Sequence, residues 1–102
     1  MTYHIVISDR AKQMLASHIR FLAKVSKSAA VEKKQQIIRE IRSLSQMPQR
    51  FPFFNEIYLP PNKYHKMYIE KWYLVLYQIR DDTVYVDYIL DCRKDYSWLI
   101  PS

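Results

Sequence analysis

Residues 64–90 read YHKMYIEKWYLVLYQIRDDTVYVDYIL, and this stretch decides the fold. Alternating polarity and many β-branched or aromatic residues predict three strands, over residues 64–69, 72–79 and 83–90. Short polar turns separate the strands, so we expect them to pair as an antiparallel meander. The middle strand is apolar on both faces, which predicts a central position covered from both sides.

Strand alternation also sorts the side chains into two faces. His65 should point to the same side as Met67 and Ile69, whereas Lys66 should point to the opposite side, which it shares with Tyr64 and Tyr68. In the last strand one predicted face carries Val84, Val86, Tyr88 and Leu90, and the other carries Tyr85, Asp87 and Ile89. Because neighbouring strand positions face opposite ways, His65 and Lys66 are not expected to share one site.

The segment before these strands predicts one strand and two helices. Residues 3–7 are rich in β-branched side chains, and Ser8 and Asp9 are favourable helix N-caps. An apolar stripe at helical spacing follows: Ala11, Met14, Leu15, His18, Leu22 and Val25. Ser28 is expected to cap a second helix that ends near Met47, since Pro48 disfavours helical geometry in its predecessor. Its inward positions are Ala30, Ile37, Ile38, Ile41 and Leu44, with Lys33, Lys34, Arg39 and Arg42 outside.

Residues 48–63 hold four of the five prolines and three phenylalanines, which predicts an ordered loop that buries its aromatic rings. The whole chain is then one α+β domain over residues 1–102. Its order is β-α-α-β-β-β, with an antiparallel sheet and a helical hairpin packed on one face.

The composition limits the classes of function and partner that fit this chain. The net charge is +6, and residues 1–51 alone carry ten Lys and Arg against three Asp and Glu. Such a basic half indicates an acidic partner, either nucleic acid or protein, although a solvated helix face explains the charge equally well. The absence of glycine excludes glycine-rich phosphate loops. One cysteine, no secretion signal and no apolar run long enough for a membrane predict a cytoplasmic protein without a membrane partner.

The element order, the segments SLSQMPQRFP and YLVLYQIRDDTVYVDYIL, and the terminal DCRKDY together resemble the RelE/ParE superfamily of toxins from bacterial type II toxin–antitoxin modules. The resemblance covers about residues 3 to 98. It implies a small basic toxin that is silenced by an acidic antitoxin encoded alongside. RelE-like members cut mRNA, usually on the ribosome, whereas ParE-like members bind and poison DNA gyrase.

RelE-like members usually carry a basic residue just before an LVYQ-like segment, where this sequence has Leu74. Lys66 matches one of their strand lysines, Arg93 and Lys94 match their basic end, and Tyr96 lies near their terminal aromatic residue. If the protein is a ribonuclease, the resemblance implies metal-independent cleavage with these residues and His65 as catalytic candidates. The candidates for target binding are Lys63, Lys66, Lys71, Arg93, Lys94, Tyr96 and Trp98.

Other residues that could carry chemistry have simpler interpretations. We expect His18 to pack on the apolar stripe, and His65 to be a hydrogen-bonded, partly buried side chain rather than a catalyst. Cys92 is expected to be a small buried residue at a strand end. Three scattered histidines and one cysteine show no ligand spacing, so no metal and no cofactor are expected.

Three functions remain open. The first, favoured by the missing basic residue at Leu74, is a ParE-like toxin that inhibits growth by binding DNA gyrase. The second is a RelE-like, ribosome-dependent mRNA endonuclease. The third is a basic protein-interaction module that has lost its toxicity.

Overall fold

The structure is a computed structural model, and it describes residues 2–57 and 59–92. The observed order confirms the predicted one: a strand, two helices and three strands. The elements are β1 (His4–Ile7), α1 (Asp9–Ala23), α2 (Lys27–Arg42), β2 (His65–Ile69), β3 (Tyr73–Arg80) and β4 (Thr83–Asp91). Two short 3₁₀ turns, Ser43–Ser45 and Pro48–Arg50, follow α2.

The strands form one sheet in the order β1-β4-β3-β2. The three later strands pair as the predicted antiparallel meander, and β3 lies inside the sheet as expected. The sheet as a whole is mixed rather than antiparallel, because β1 pairs parallel to β4. The helical hairpin carries the chain from β1 at one edge of the sheet to β2 at the other edge, and the antiparallel meander then returns to place β4 beside β1.

A serine side chain caps the N-terminus of each helix. The Ser8 hydroxyl accepts a hydrogen bond from the backbone N–H of Ala11, as the sequence predicted. The second helix is capped by Ser26 and not by Ser28, because Ser26 has the extended backbone of an N-cap and accepts from the N–H of Ala29. Val25, assigned to the apolar stripe, lies beyond the end of α1 and is exposed.

The main core lies between the helices and one side of the sheet. Residues at helical spacing on α1 and α2 meet alternate residues of all the later strands, as the amphipathic pattern predicts. Its buried members are Ala11, Leu15, Ile37, Ile41, Leu44, Met67, Ile69, Tyr73, Val75, Tyr77, Val84, Val86 and Ile89.

A β-bulge interrupts β4 at Asp87. Tyr77 lies opposite Val86, while the preceding residue of β3, Leu76, lies opposite Tyr88, so Asp87 is the extra residue. An extra residue in one strand changes the face to which every later side chain of that strand points.

The bulge corrects the predicted faces of the last strand. Val84 and Val86 face the main core, but Tyr88 and Leu90 face the other side of the sheet, and Ile89 takes their place in the core. We call that other side the open face. Its smaller apolar cluster, which Met14 and Phe54 flank, contains Leu59, Tyr64, Leu74, Leu76, Tyr88 and Leu90.

Beyond the bulge, no strand in the described part of the chain pairs with the outer side of β4, and α1 lies there instead. The Ser8 hydroxyl and the Arg10 Nε both donate to the carbonyl oxygen of Asp87, each at 3.3 Å. The His18 Nε2 donates to the carbonyl oxygen of Ile89 at 2.8 Å. These bonds satisfy carbonyls that a free strand edge would leave to water. The predicted packing role of His18 is confirmed.

The connection after α2 is held by Arg50. Its guanidinium donates to the backbone carbonyls of Ser43, Gln46 and Met47. Met47 has φ 46°, in the left-handed region that favours glycine. Because the chain contains no glycine, other residues also adopt this conformation at its turns: Asn62, Glu70 and Asp81.

Candidate interaction faces

The two candidates on β2 face opposite sides of the sheet, as strand parity predicted. His65 lies on the core side, where its ring stacks on Tyr77 with centroids 5.3 Å apart and is covered by Phe53 at 4.2 Å. Its Nδ1 donates to the carbonyl oxygen of Phe51 at 2.8 Å. Lys66 lies on the open face, with its ammonium group near the rings of Phe54 and Tyr68. The structure does not bring the two side chains together.

His65 and Tyr77 fix the loop to the sheet instead. The Tyr77 hydroxyl donates to the carbonyl oxygen of Pro48 at 2.7 Å inside the core. Burial raises the pKa of Tyr77 to about 12, against a weaker opposing effect of the Arg50 charge. A phenol with such a high pKa is a structural hydrogen-bond donor rather than an acid near neutral pH.

The other described candidates lie at the surface. Lys63 is exposed just before β2, with its ammonium nitrogen 5.3 Å from the centre of the Tyr64 ring. Lys71 is exposed in the turn between β2 and β3. Leu74, at the position where a RelE-like toxin has a cation, is buried in the open-face cluster. Arg93, Lys94, Tyr96 and Trp98 lie outside the described residues.

Cys92 is exposed, so the prediction of a buried cysteine is wrong. Its backbone N–H donates to the carbonyl oxygen of Trp72, one residue beyond the end of β4. Partial desolvation of the thiol, followed by the charge of Asp91, raises the pKa of Cys92. A raised pKa makes the thiol a poor nucleophile.

One end of the open face carries exposed aromatic rings. Tyr68 is 54% exposed and lies near the Lys66 ammonium group, and Trp72, which follows Lys71 in the turn before β3, is 45% exposed. Strand alternation predicted that Tyr68 shares a face with Lys66. Trp72, in contrast, was predicted to begin the middle strand, which is covered from both sides. Trp72 is the last residue of the turn and precedes β3, so it lies at the edge of the sheet and its side chain is partly exposed. Exposed aromatic side chains with adjacent cations are typical anchors of binding sites.

The other end of the open face, around the bulge, carries a cluster that the sequence did not predict. The Asp87 carboxylate accepts a hydrogen bond from the Gln78 Nε2 at 2.7 Å and interacts with the Tyr64 hydroxyl. Burial, and then the Asp87 charge, raise the pKa of Tyr64. The Arg10 guanidinium lies 4.0 Å above the Tyr88 ring. Strand alternation alone gives no signal for this cluster, because the bulge creates it.

A separate apolar groove runs along the outside of the helical hairpin. It has a volume of about 970 Å³. Its apolar lining is Ile19, Ala23, Ala30, Val31 and Ile38, and its basic rim is Lys27, Lys34, Arg39 and Arg42. A smaller depression of about 440 Å³ adjoins it beside Ile7 and Lys12. Apolar walls inside a ring of cations suit an acidic amphipathic segment.

Among residues 2–57 and 59–92, no group of three His, Cys, Asp or Glu side chains is arranged to hold a metal ion. None of the helices in this described part is both long and apolar enough to cross a membrane.

The fold and its two faces define a small basic α+β protein. A similar solved structure is described as the chromosomal ParDE toxin–antitoxin system from P. aeruginosa, with TM-score 0.73, 13% sequence identity, and coverage of 88% of this chain and 96% of that chain. No protein of curated function matches the sequence.

The family is established by the sequence itself. Residues 5–96 match the family described as ParE toxin of type II toxin-antitoxin system, parDE. The match covers most of the 102 residues, so the chain belongs to the ParE toxin family. The predicted superfamily is confirmed.

Proposed function

We propose that this protein is a cytoplasmic toxin that inhibits DNA gyrase by binding, through the Tyr68–Trp72 end of its open face and its basic C-terminal residues. The observation that carries the proposal is the separation of His65 from Lys66. Cleavage of RNA without a metal needs an acid, a base and phosphate-binding cations converging on one site. His65 is on the core side of the sheet, so it cannot act together with Lys66 on the open face.

The same end of the face has the features of a protein-binding site. Tyr68 and Trp72 offer large exposed rings, and Lys66 and Lys71 add positive charge at this end of the face. A few aromatic anchors carry most of the energy of a protein interface. Arg93, Lys94, Tyr96 and Trp98 follow Cys92 in sequence, and we assign them to the same contact.

A supercoiling assay with purified gyrase tests this function. We expect the wild-type protein to inhibit supercoiling, and Tyr68→Ala to weaken inhibition about 30-fold, as loss of a 2 kcal/mol anchor does. Phe21→Ala is the matched control, because Phe21 is also an exposed ring but lies on α1. Cleavage of ribosome-bound mRNA with no effect on supercoiling would show a RelE-like endonuclease instead. Normal growth of cells that express the protein without an antitoxin would indicate a non-toxic module.

We further propose that the hairpin groove and the neighbouring edge of the sheet bind the antitoxin. The groove is apolar along its floor and has four cations on its rim, so an acidic segment with one apolar face is complementary to it. A second copy of this chain would instead bring cations against cations.

Co-purification with the protein encoded beside this gene tests the antitoxin site. Val31→Glu places a negative charge in the groove at a position that is already exposed, so we expect the complex to be lost while the fold remains. Phe21→Glu adds the same charge to α1 outside the groove and should leave the complex intact. Equal retention of the antitoxin by both variants would place its binding site elsewhere.

A further inference from the structure

The loop that precedes β2 carries an apolar side chain that the fold does not use. Ile57 is fully exposed (102%). It follows Glu56 in a turn in which the backbone N–H of Leu59 donates to the carbonyl oxygen of Glu56 at 2.9 Å. Gly, Pro, Asn, Asp and Ser dominate such turns, so neither turn chemistry nor packing explains an isoleucine here. Because single exposed apolar side chains are common on protein surfaces, the surroundings of Ile57 decide whether it serves binding.

Hydrogen bonds close this loop at its base. The Asn55 Oδ1 accepts from the backbone N–H of Asn62 at 2.8 Å, and the Asn55 Nδ2 donates to the Asn62 Oδ1 at 3.2 Å. Next to this pair, the backbone N–H of Phe54 donates to the carbonyl oxygen of Tyr64 at 2.7 Å, which ties the loop to the chain just before β2. We call residues 55–62 the closed loop.

The closed loop is also fixed by one inward side chain. Leu59 is buried in the open-face cluster, which it shares with Leu74 and Leu76 of β3. A loop that is held both at its base and by this side chain keeps Ile57 exposed in a defined position. Because the loop is ordered before binding, a partner that covers Ile57 removes little further conformational freedom.

The closed loop continues the proposed gyrase-binding surface along β2. The Lys66 ammonium nitrogen lies 6.0 Å from the ring centre of Tyr68 and 5.7 Å from that of Phe54. Phe54 directly precedes the closed loop, so the loop extends the row that these side chains form. Two aromatic side chains bury together about 300 to 500 Å², whereas a specific protein interface buries about 800 Å² on each partner. The Tyr68–Trp72 end therefore needs further contact area, and the closed loop lies where it can supply it.

Charge separates the closed loop from the basic surfaces of the protein. Its sequence, NEIYLPPN, contains one charged side chain, the carboxylate of Glu56, in a chain of net charge +6. An acidic antitoxin segment or a phosphate backbone gains no attraction from a negative loop. An apolar pocket on a protein gains from the burial of Ile57 and needs no charge there. The chemistry of the loop fits a protein target.

We propose that the closed loop is a second anchor of the gyrase contact and that Ile57 enters an apolar pocket of the target protein. This assignment rests on the proposed function, and it adds a residue and a partner chemistry that the Tyr68–Trp72 end does not supply. Side chains that fill water-excluding pockets carry a large share of the energy of a protein interface. The rings at one end and the closed loop at the other then grip the target at two separate points.

The affinity of purified DNA gyrase, free of DNA, for the full-length protein and its variants tests this anchor by titration calorimetry. We expect Ile57→Ala to raise the dissociation constant about 50-fold, because three buried carbon atoms are lost, and Ile57→Val to raise it only about fourfold. Val25→Ala is the matched control, because Val25 is also an exposed apolar residue (84%) but follows α1. It should change the dissociation constant less than about twofold. All three variants should melt at the wild-type temperature, since neither side chain is packed.

A second pair of variants tests the closure of the loop. Asn55→Ala removes both side-chain hydrogen bonds to Asn62, so the loop must be ordered on binding, and we expect the dissociation constant to rise about fivefold. Asn55→Asp keeps an acceptor for the N–H of Asn62 and should recover most of the affinity. Wild-type affinity in Asn55→Ala, or equal weakening by both variants, would show that closure does not contribute.

The ways in which these experiments can fail point to different errors. If Ile57→Ala binds gyrase like the wild type while Tyr68→Ala loses it, the anchor is wrong and the proposed function stands. Equal weakening by Ile57→Ala and Val25→Ala would show that binding follows exposed apolar surface in general, and would overturn the anchor. If Ile57→Ala loses the antitoxin but keeps gyrase, the closed loop is an antitoxin contact and the assignment is wrong. Failure of the wild-type protein to bind gyrase would overturn the proposed function and the anchor together.

Discussion

The two sides of the sheet are built differently. On the core side, apolar residues from both helices and all the later strands are buried together, and hydrogen bonds of Tyr77 and His18 tie the loop and α1 to the sheet. On the open face, a thinner apolar cluster is covered by part of the loop and by cations over aromatic rings. Substitutions on the first side should therefore change stability, whereas surface substitutions on the second should change binding.

Adjacent residues of β4 offer the most sensitive test of this difference. Ile89 lies in the main core and Leu90 in the open-face cluster, which is the reverse of the arrangement that the strand would have without the bulge. We expect Ile89→Ala to lower the free energy of unfolding by about 4 kcal/mol and Leu90→Ala by about 2 kcal/mol, since the thinner cluster can relax around a cavity. Urea denaturation measures both. A larger loss for Leu90→Ala would contradict the assignment of faces.

The second test concerns the buried hydrogen bond of Tyr77. We expect Tyr77→Phe to lower the free energy of unfolding by about 1 to 2 kcal/mol, because the Pro48 carbonyl loses its donor. Burial raises the pKa of Tyr77 to about 12, so its contribution is complete below about pH 10 and is lost as the pH rises towards about 12. Unfolding midpoints at increasing alkaline pH should fall less steeply in Tyr77→Phe. An identical alkaline decline would show that Tyr77 is not the group responsible.

The third test concerns the connection that leads from the helices to the open face. Met47 adopts a left-handed conformation with an exposed side chain, so Met47→Asn should raise the free energy of unfolding by about 0.5 kcal/mol. Met47→Ala is the control, because it removes the same side chain and keeps the unfavourable backbone. A thermal shift of equal size in both variants would attribute the effect to the side chain instead.

The smallest effect is expected where α2 meets the turn between β2 and β3. Hydrogen bonds from Lys33 and then Gln36 lower the pKa of the Glu70 carboxyl. The stabilisation is present above the pKa of unfolded glutamate and is lost as the pH falls through the lower folded-state value. Glu70→Gln should therefore melt slightly below the wild type at neutral pH and equal it in acid. Glu40→Gln, on the exposed side of α2, is the control and should show no such convergence.

Local patterns predicted most of the fold correctly. Periodicity and turn residues located both helices and all four strands, because each element buries one regularly spaced set of side chains. The opposite orientation of His65 and Lys66 followed from strand parity, since no bulge interrupts β2. The cap at Ser28 was wrong because two nearby serines suit the position equally, and backbone geometry favours Ser26.

The candidate site was predicted less completely. Lys63, Lys66 and Lys71 lie at the surface as proposed, but the pairing of Arg10 with Tyr88 joins residues 78 positions apart. No spacing rule connects such residues. The exposure of Cys92 depends in the same way on what packs over the end of β4, which the local pattern does not contain.

By itself, the sequence determined the order of the elements, the antiparallel meander, the basic helical hairpin and the family resemblance, because these depend on interactions between near neighbours and on composition. Only the tertiary structure decided that β1 pairs parallel to β4, that Asp87 forms a bulge, and that α1 closes the remaining edge of β4. These features arise where backbone groups distant in sequence must satisfy one another's hydrogen bonds.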